Sequence, residues 1–279
     1  MDKIAVISDI HGNLEALKTV LNDIRRRNID KIICLGDIIA KGTHQEECVK
    51  LIKENCYITI KGNNDEFYSR DNIDLEKVRE IEKKRYNWIR KKLSKESLSF
   101  LQNLPYSHEL YMSGRLIRFF HAHPETTYKF IGNFDKIERT FELFLPSNNT
   151  ISDSIADIVV YGHIHTQFMQ KLYNRTVINT GSVGNSYDTF RNNSKDANVL
   201  NTTLVNYLII TGVLDSNDIN NEISFELVSI PYDIDKELED NNDNIELEEY
   251  KKEIKNGMYR NMDWVYKSFD LRGIDKNKI

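Results

Sequence analysis

Apolar residues in the first third of the chain follow two alternating rhythms. Ile4-Ala5-Val6-Ile7, Ile32-Ile33-Cys34-Leu35 and Tyr57-Ile58-Thr59-Ile60 are short runs that are apolar almost throughout. Between the first two, Leu14, Leu17, Val20, Leu21 and Ile24 recur mostly at threes and fours, and a second helix is predicted through Glu46 to Glu54. Continuous apolar runs predict strands buried on both faces, and helices between them predict an α/β arrangement. Each run ends in a polar loop carrying Asp, His or Asn, and ligands of open α/β sheets gather at the carboxyl ends of strands.

Residues 66–104 break this alternation. They are rich in Lys, Arg and Glu, with Val78, Ile81, Tyr86, Ile89, Leu93, Leu98 and Leu101 at roughly helical spacing. The segment reads as a helical cap inserted over the site, or more plainly as a charged hairpin with a packing role. From Ser107 onward the pattern turns strand-like, at Leu116–Phe120, Ile158–Tyr161, Thr176–Asn179, Tyr207–Ile210 and Ile223–Ile230, with a helix around Phe134 to Phe144. After Pro231 the chain is charged and helical. Leu247, Tyr250, Ile254, Met258 and Met262 form an amphipathic face for packing on the domain or for pairing two copies as a homodimer. The expected division is a domain over residues 1–232, interrupted by the 66–104 cap, and a helical extension over 233–279.

Composition narrows the class. The net charge of −5 provides no broad basic field for duplex nucleic acid or an acidic membrane. Arg25, Arg26 and Arg27 close a predicted helix, where cations complement the dipole. Cys34, Cys48 and Cys56 are odd in number and lack metal-motif spacing; Cys34 and Cys56 read as small apolar residues on buried strands, which suits a reducing compartment. No apolar stretch is long enough to span a bilayer and the first residues do not resemble a signal peptide, so a cytoplasmic location is expected.

Five stretches carry the candidate chemistry: Asp9-Ile10-His11, Gly36-Asp37, Gly62-Asn63, His121 and Gly162-His163-Ile164-His165. Each follows a predicted strand, so all can converge on one rim. Asp and His supply oxygen and nitrogen donors suited to Mn²⁺, Fe, Zn²⁺, Ni²⁺ or Co²⁺.

In this order the set resembles the calcineurin-like metallophosphoesterase family, whose pattern is D-x-H, G-D, G-N, H and G-H-x-H. Ser8-Asp9-Ile10-His11-Gly12-Asn13 and Asn179-Thr180-Gly181-Ser182-Val183-Gly184 are similar to its bacterial phosphodiesterase branch. The helical insertion and the Pro231-Tyr232-Asp233 tail are more similar to longer members, which include asymmetric dinucleoside polyphosphate (Ap4A-type) hydrolases. The resemblance implies a four-layer α/β/β/α sandwich and two divalent ions, with Mn²⁺ first in order. It implies that Asp9, His11 and His165 hold one ion, that Asn63, His121 and His163 hold the other, and that Asp37 bridges them. The implied activity is hydrolysis of a phosphodiester, phosphomonoester or phosphoanhydride by attack of a metal-bridging hydroxide. The partner is then a small phosphorylated substrate, a nucleotide among the candidates. A non-catalytic scaffold on the same fold is the alternative from another class, since the family includes a retromer subunit.

One position departs from the commoner pattern. Asn64 stands where many members carry a His near the leaving group, and an amide donates a hydrogen bond without acting as a general acid. Leaving groups that depart easily as anions are therefore expected. His123, in His121-Ala122-His123-Pro124, is the candidate substitute acid, with a hydrogen bond within its loop as the alternative role. Asp65 is a candidate helper of catalysis or a capping group. Asn13, Asn64 and Ser182 are candidate substrate contacts, and Tyr68 and Arg70 stand at the cap entrance. His44 and His108 read as structural.

Overall fold

The computed structural model of the chain describes residues 1–133, 135–187, 189–190, 202–239 and 243–257. Along the chain run β1 (Asp2–Ile7), α1 (Leu14–Arg26), β2 (Lys31–Cys34), α2 (Gln45–Asn55), β3 (Ile58–Thr59) and α3 (Asn63–Ser69). Then come α4 (Glu80–Lys91), α5 (Lys95–Gln102), β4 (Ser107–Met112), β5 (Arg115–Phe120), α6 (Ile137–Phe141), β6 (Ile158–Tyr161), β7 (Phe168–Leu172) and β8 (Arg175–Asn179). The short pair β9 (Thr189–Phe190) and β10 (Thr202–Thr203) precedes β11 (Val205–Gly212), β12 (Ser224–Ile230), α7 (Ile234–Glu239) and α8 (Leu247–Asn256).

Two five-stranded sheets result, ordered β12-β11-β1-β2-β3 and β4-β5-β6-β8-β7. Alternation along each strand sorts its side chains into layers. Ile4 and Val6 of β1, Leu208 and Ile210 of β11, Ile117 and Phe119 of β5, and Ile158 and Val160 of β6 form one core between the sheets. Ala5, Ile7, Tyr207 and Ile209 point the other way, onto α1 and α2. Leu116, Phe120, Val159 and Tyr161 face the α6 side. The strands are apolar at nearly every position because both faces are buried, and the expected α/β/β/α layering follows.

The insertion contains α4 and α5, which pack through Tyr86, Ile89, Leu93 and Leu101 on the helical side of the first sheet. In the C-terminal extension, Tyr250 and Ile254 of α8 are buried with Ile234 of α7, so this part of the amphipathic face is used within the chain. Met258 and Met262 lie outside the described residues. Two expectations shift. Cys56 caps the end of α2 and is half-buried, because the bonding of this segment to β2 begins after it, at Tyr57 N–H to Ile32 O (2.8 Å). The helix expected around residues 134–144 is a short α6 followed by a 3₁₀ turn at Glu142–Phe144. No described helix is long and apolar enough to cross a membrane.

Candidate metal centre

Strands β1, β2 and β3 run parallel in one sheet, as do β5, β6 and β8 in the other. Their carboxyl ends therefore open on one rim. Asp9 and His11 follow β1, Asp37 follows β2, Asn63 opens α3 after β3, His121 follows β5, and His163 and His165 follow β6. Asp9, His11, Asp37, His163 and His165 all have positive φ, between 53° and 68°. A left-handed turn costs an L-residue roughly 1–2 kcal/mol, so local preference alone does not choose it five times. Bonds between the loops impose it: Asp9 N–H donates to Gly36 O (2.9 Å), His11 N–H to Asp37 O (3.0 Å) and Gly162 N–H to His121 O (2.8 Å). Gly162 is required by contact, since a Cβ there would lie 2.0 Å from Ser8 Oγ and 2.5 Å from Asp9 Oδ2.

These loops bring two groups of donor atoms together. Asp9, His11 and His165 form one group, Asp9, Asp37 and His121 another, and within each the donor atoms lie within 4.8 Å of one another. Asn63 Oδ1 lies 3.0 Å from His121 Nε2 and 2.9 Å from His163 Nδ1, which places Asn63 and His163 beside the second group. Asp37 faces both groups: its Oδ2 is 3.8 Å from His11 Nε2 and its Oδ1 is 3.6 Å from His121 Nε2.

The outer contacts fix which atoms face inward. His11 Nδ1 donates to Ile39 O (3.3 Å), His121 Nδ1 to Leu35 O (3.0 Å) and His165 Nδ1 to Asn185 O (2.6 Å). Each ring thus turns an Nε2 lone pair toward the cluster, the arrangement expected of a histidine ligand braced from behind. Asp9 Oδ2 accepts from Ser8 Oγ (2.6 Å) and His163 N–H (2.9 Å), while Oδ1 is buried with no hydrogen-bond partner. Converging lone pairs around an orphaned carboxylate oxygen fit a bound cation.

Burial lowers the pKa of His11 far below the ordinary histidine value, with Lys41 and His165 adding to the effect. Burial and the neighbouring His121 bring His163 down to about 3. Both rings are therefore neutral and able to coordinate. Burial alone would raise Asp9, but His165, His121 and His11 outweigh it and hold the carboxylate ionised.

The remaining candidates separate by position. Asn64 lines the cleft and grips Asp37, with its N–H on Oδ1 (2.8 Å) and its amide on Oδ2 (2.5 Å). Asp65 is fully buried. Its Oδ2 accepts from the N–H groups of Asp37 (2.7 Å) and Gly62 (3.0 Å), and its Oδ1 from Ile38 N–H (3.0 Å). It braces the Asp37 loop and does not line the cleft. Asn13 is the buried N-cap of α1, accepting from Ala16 N–H and donating to Gly184 O and Tyr232 Oη. Ser182 Oγ donates to Asp9 O (2.8 Å) and accepts from Asn185 N–H (2.8 Å). As placed, Asn13 and Ser182 hold loops and are not among the residues lining the cleft. His123 Nε2 is buried 3.6 Å from Glu142 Oε2, on the α6 side, and the ring is not part of the cleft lining. Arg70 pairs with Glu66.

The cleft holds about 260 Å³, and its lining also includes Lys41, Tyr68, Arg85, Tyr187 and Glu246. Of these, only Tyr68 drew notice in the sequence. Lys41 closes the loop after Asp37, a proximity the sequence does offer. Arg85 and Glu246 are 161 residues apart, and no motif links them.

Comparison with known proteins agrees with this geometry. The calcineurin-like phosphoesterase superfamily domain matches residues 2–202. An uncharacterized protein of Methanocaldococcus jannaschii, MJ0912, is 35% identical over 202 residues, covering 66% of this chain and 77% of its own length. Among solved structures, a metallophosphoesterase from Sphaerobacter thermophilus aligns with a TM-score of 0.65 at 21% identity, over 92% of this chain and 99% of that one. The hypothetical protein PH1004 from Pyrococcus horikoshii aligns with a TM-score of 0.68 at 17% identity, over the same shares. At these identities the two structures speak for the fold alone.

Proposed function

The chain belongs to the calcineurin-like phosphoesterase superfamily and is a metal-dependent phosphoesterase, and from that premise we propose that it uses two divalent ions, Mn²⁺ first among them, to hydrolyse a phosphodiester or phosphoanhydride whose leaving group departs readily as an anion. The observation that carries the reading is the pair of donor groups sharing Asp9, with one oxygen of Asp37 turned to each. Two ions held there would supply Lewis acidity at the phosphoryl oxygens and a water of lowered pKa.

The chain's own residues orient and hold charge. Asn64 fixes Asp37 through both carboxylate oxygens, and Asp65 fixes the backbone of Asp37 and Ile38. Lys41 adds a positive charge beside the cluster, where phosphoryl oxygens gain negative charge as the bond to the leaving group breaks. Asn64 carries no acidic proton to give that group, which limits efficient turnover to good leaving groups. The substrate in this reading is a small phosphorylated molecule entering from the cap side.

The test compares Mn²⁺-dependent turnover of bis-p-nitrophenyl phosphate with that of p-nitrophenyl phosphate and glycerol phosphate, with Asp37→Asn as the blank. Faster turnover of the diester, dependent on metal and on Asp37, is expected. Rapid turnover of glycerol phosphate with slow turnover of the diester would overturn the leaving-group argument.

A further inference from the structure

Arg85 of α4 and Glu246, just ahead of α8, meet at the lining of the metal-centre cleft. They form a forked pair: Arg85 Nε donates to Glu246 Oε2 at 2.5 Å, and Nη2 donates to Oε1. Both side chains are largely withdrawn from water, at 24% and 13% exposure. A surface pair in this geometry would need no explanation, but this one occupies the wall of the cavity that, in the proposed function, receives an anion. Two carboxylate oxygens on a guanidinium fork present the same pattern as two oxygens of a phosphate. Glu246 therefore occupies the position a substrate phosphate would take on Arg85.

The surroundings support an anion site that extends beyond the metals. Lys41 lies on the same wall, held by Asn185 and 3.6 Å from Glu253 Oε2. It lines the cleft together with His11 and His163. Asn64 and Tyr68 line the space shared by the cluster and Arg85. The segment carrying Glu246 is tied at several points: Asn244 donates to Lys41 O (2.8 Å), Trp88 Nε1 donates to Asp243 O (3.1 Å), and Lys92 pairs with Asp243 (2.5 Å). Among the described residues of this strap, Glu246 is the one that lines the cleft.

We propose that Arg85, with Lys41, reads a second phosphate adjoining the scissile one, that Glu246 is the internal anion this phosphate displaces, and that the substrate class is thereby a phosphate chain. This deepens the proposed function and rests on it for the position of the scissile phosphate, but the Arg85–Glu246 exchange is measurable without turnover. A terminal phosphate carries more charge than the carboxylate it replaces, an interior one the same charge spread over two oxygens, and the displaced Glu246 gains hydration, so the exchange favours the substrate.

Trp88 reports the exchange, being bonded to the strap three residues from Arg85. In a Trp264→Phe background of the full chain, with Mn²⁺ present throughout, tryptophan emission is followed during titration with inorganic tripolyphosphate and, separately, with orthophosphate. A saturable change with tripolyphosphate is expected. Arg85→Ala should cut the selectivity for tripolyphosphate over orthophosphate at least tenfold, Arg85→Lys less, and Glu246→Gln should lower the tripolyphosphate midpoint at least threefold. Variants that merely loosened the strap would not move in opposite directions. Equal selectivity in Arg85→Ala, weaker binding in Glu246→Gln, or no saturable change in the parent chain would each overturn the proposal. If bis-p-nitrophenyl phosphate is not hydrolysed but the titrations behave as stated, the activity reading fails while the phosphate-chain site stands.

Discussion

The Nε2 atoms of His11 and His165 face each other at 3.0 Å, while the Nδ1 atom of each ring is already committed to a backbone carbonyl. With each Nδ1 donating to its carbonyl, the two Nε2 atoms point at one another, and Asp9 Oδ1 adds a third acceptor 3.2 Å from His165 Nε2. This arrangement is repulsive until a cation shares the space. The native state should therefore gain stability from metal. At a hundredfold excess over Kd the gain is about 2.7 kcal/mol for one site. A thermal melt of wild type with and without Mn²⁺ should show a clear upward shift, reversed by chelator. His165→Ala should lose most of that shift and bind Mn²⁺ at least tenfold more weakly by calorimetry; an unchanged shift would remove His165 from the ligand set.

Asp65 tests the bracing of the bridging carboxylate. Three backbone N–H groups converge on it inside the protein. An unsatisfied buried donor costs about 1–3 kcal/mol. Asp65→Ala should lower the unfolding free energy by at least about 2 kcal/mol in urea, with metal affinity falling as Asp37 loses its anchor. A loss under 0.5 kcal/mol would show that water replaces the carboxylate readily.

Gly162→Ala should spare the fold and disable the site. Its added methyl meets Ser8 and Asp9 head-on. The loop carrying His163 and His165 must then shift outward, at the cost of the Asp9–His163 contact. Near-native circular dichroism with at least tenfold weaker Mn²⁺ binding is the expected result. Full binding would mean that the loops yield without moving their ligands.

Asp23 supplies a pH-dependent contribution remote from the metals. Burial alone would raise its pKa, but the Tyr207 hydroxyl (2.5 Å) and Arg27 (2.8 Å) bring it below the ordinary 3.8. A carboxylate depressed in the folded state contributes stability above its unfolded pKa and loses it as pH falls through the folded value. The stability gap between wild type and Asp23→Asn should be constant near neutrality and close below pH 3.8. A gap independent of pH down to 2.5 would assign the effect to packing.

Much of the layout was legible because doubly buried strands leave continuous apolar runs. Ile158–Tyr161 coincides with β6, and β1, β2, β5, β8, β11 and β12 differ from expectation only at their ends. Strand β7 escaped notice because Phe168 to Leu172 is an edge strand with exposed Met169 and Lys171. The convergence of the candidate ligands was legible as an ordered motif, since each loop follows its own strand. The roles of Asn13, Asp65, Ser182 and His123 were not, because a polar residue beside a ligand can turn inward to a backbone amide or outward to substrate, and sequence does not show which. Arg85 and Glu246 were hidden for another reason: their meeting depends on how an insertion and a tail fold over the rim.

The donor groups straddle the seam between the sheets. Asp9, His11 and Asp37 come from one sheet, and His121, His163 and His165 from the other. Prying the two layers apart at the rim would have to break coordination on both sides, so a loaded site acts as a rivet through the sandwich. Resistance to mechanical or proteolytic opening should then rise on metal loading at this rim and stay unchanged at the opposite end, where metal-independent backbone bonds join the sheets: Ser113 N–H to Val213 O (2.9 Å), Gly114 N–H to Ser216 O (2.7 Å) and Asp215 N–H to Tyr111 O (2.9 Å).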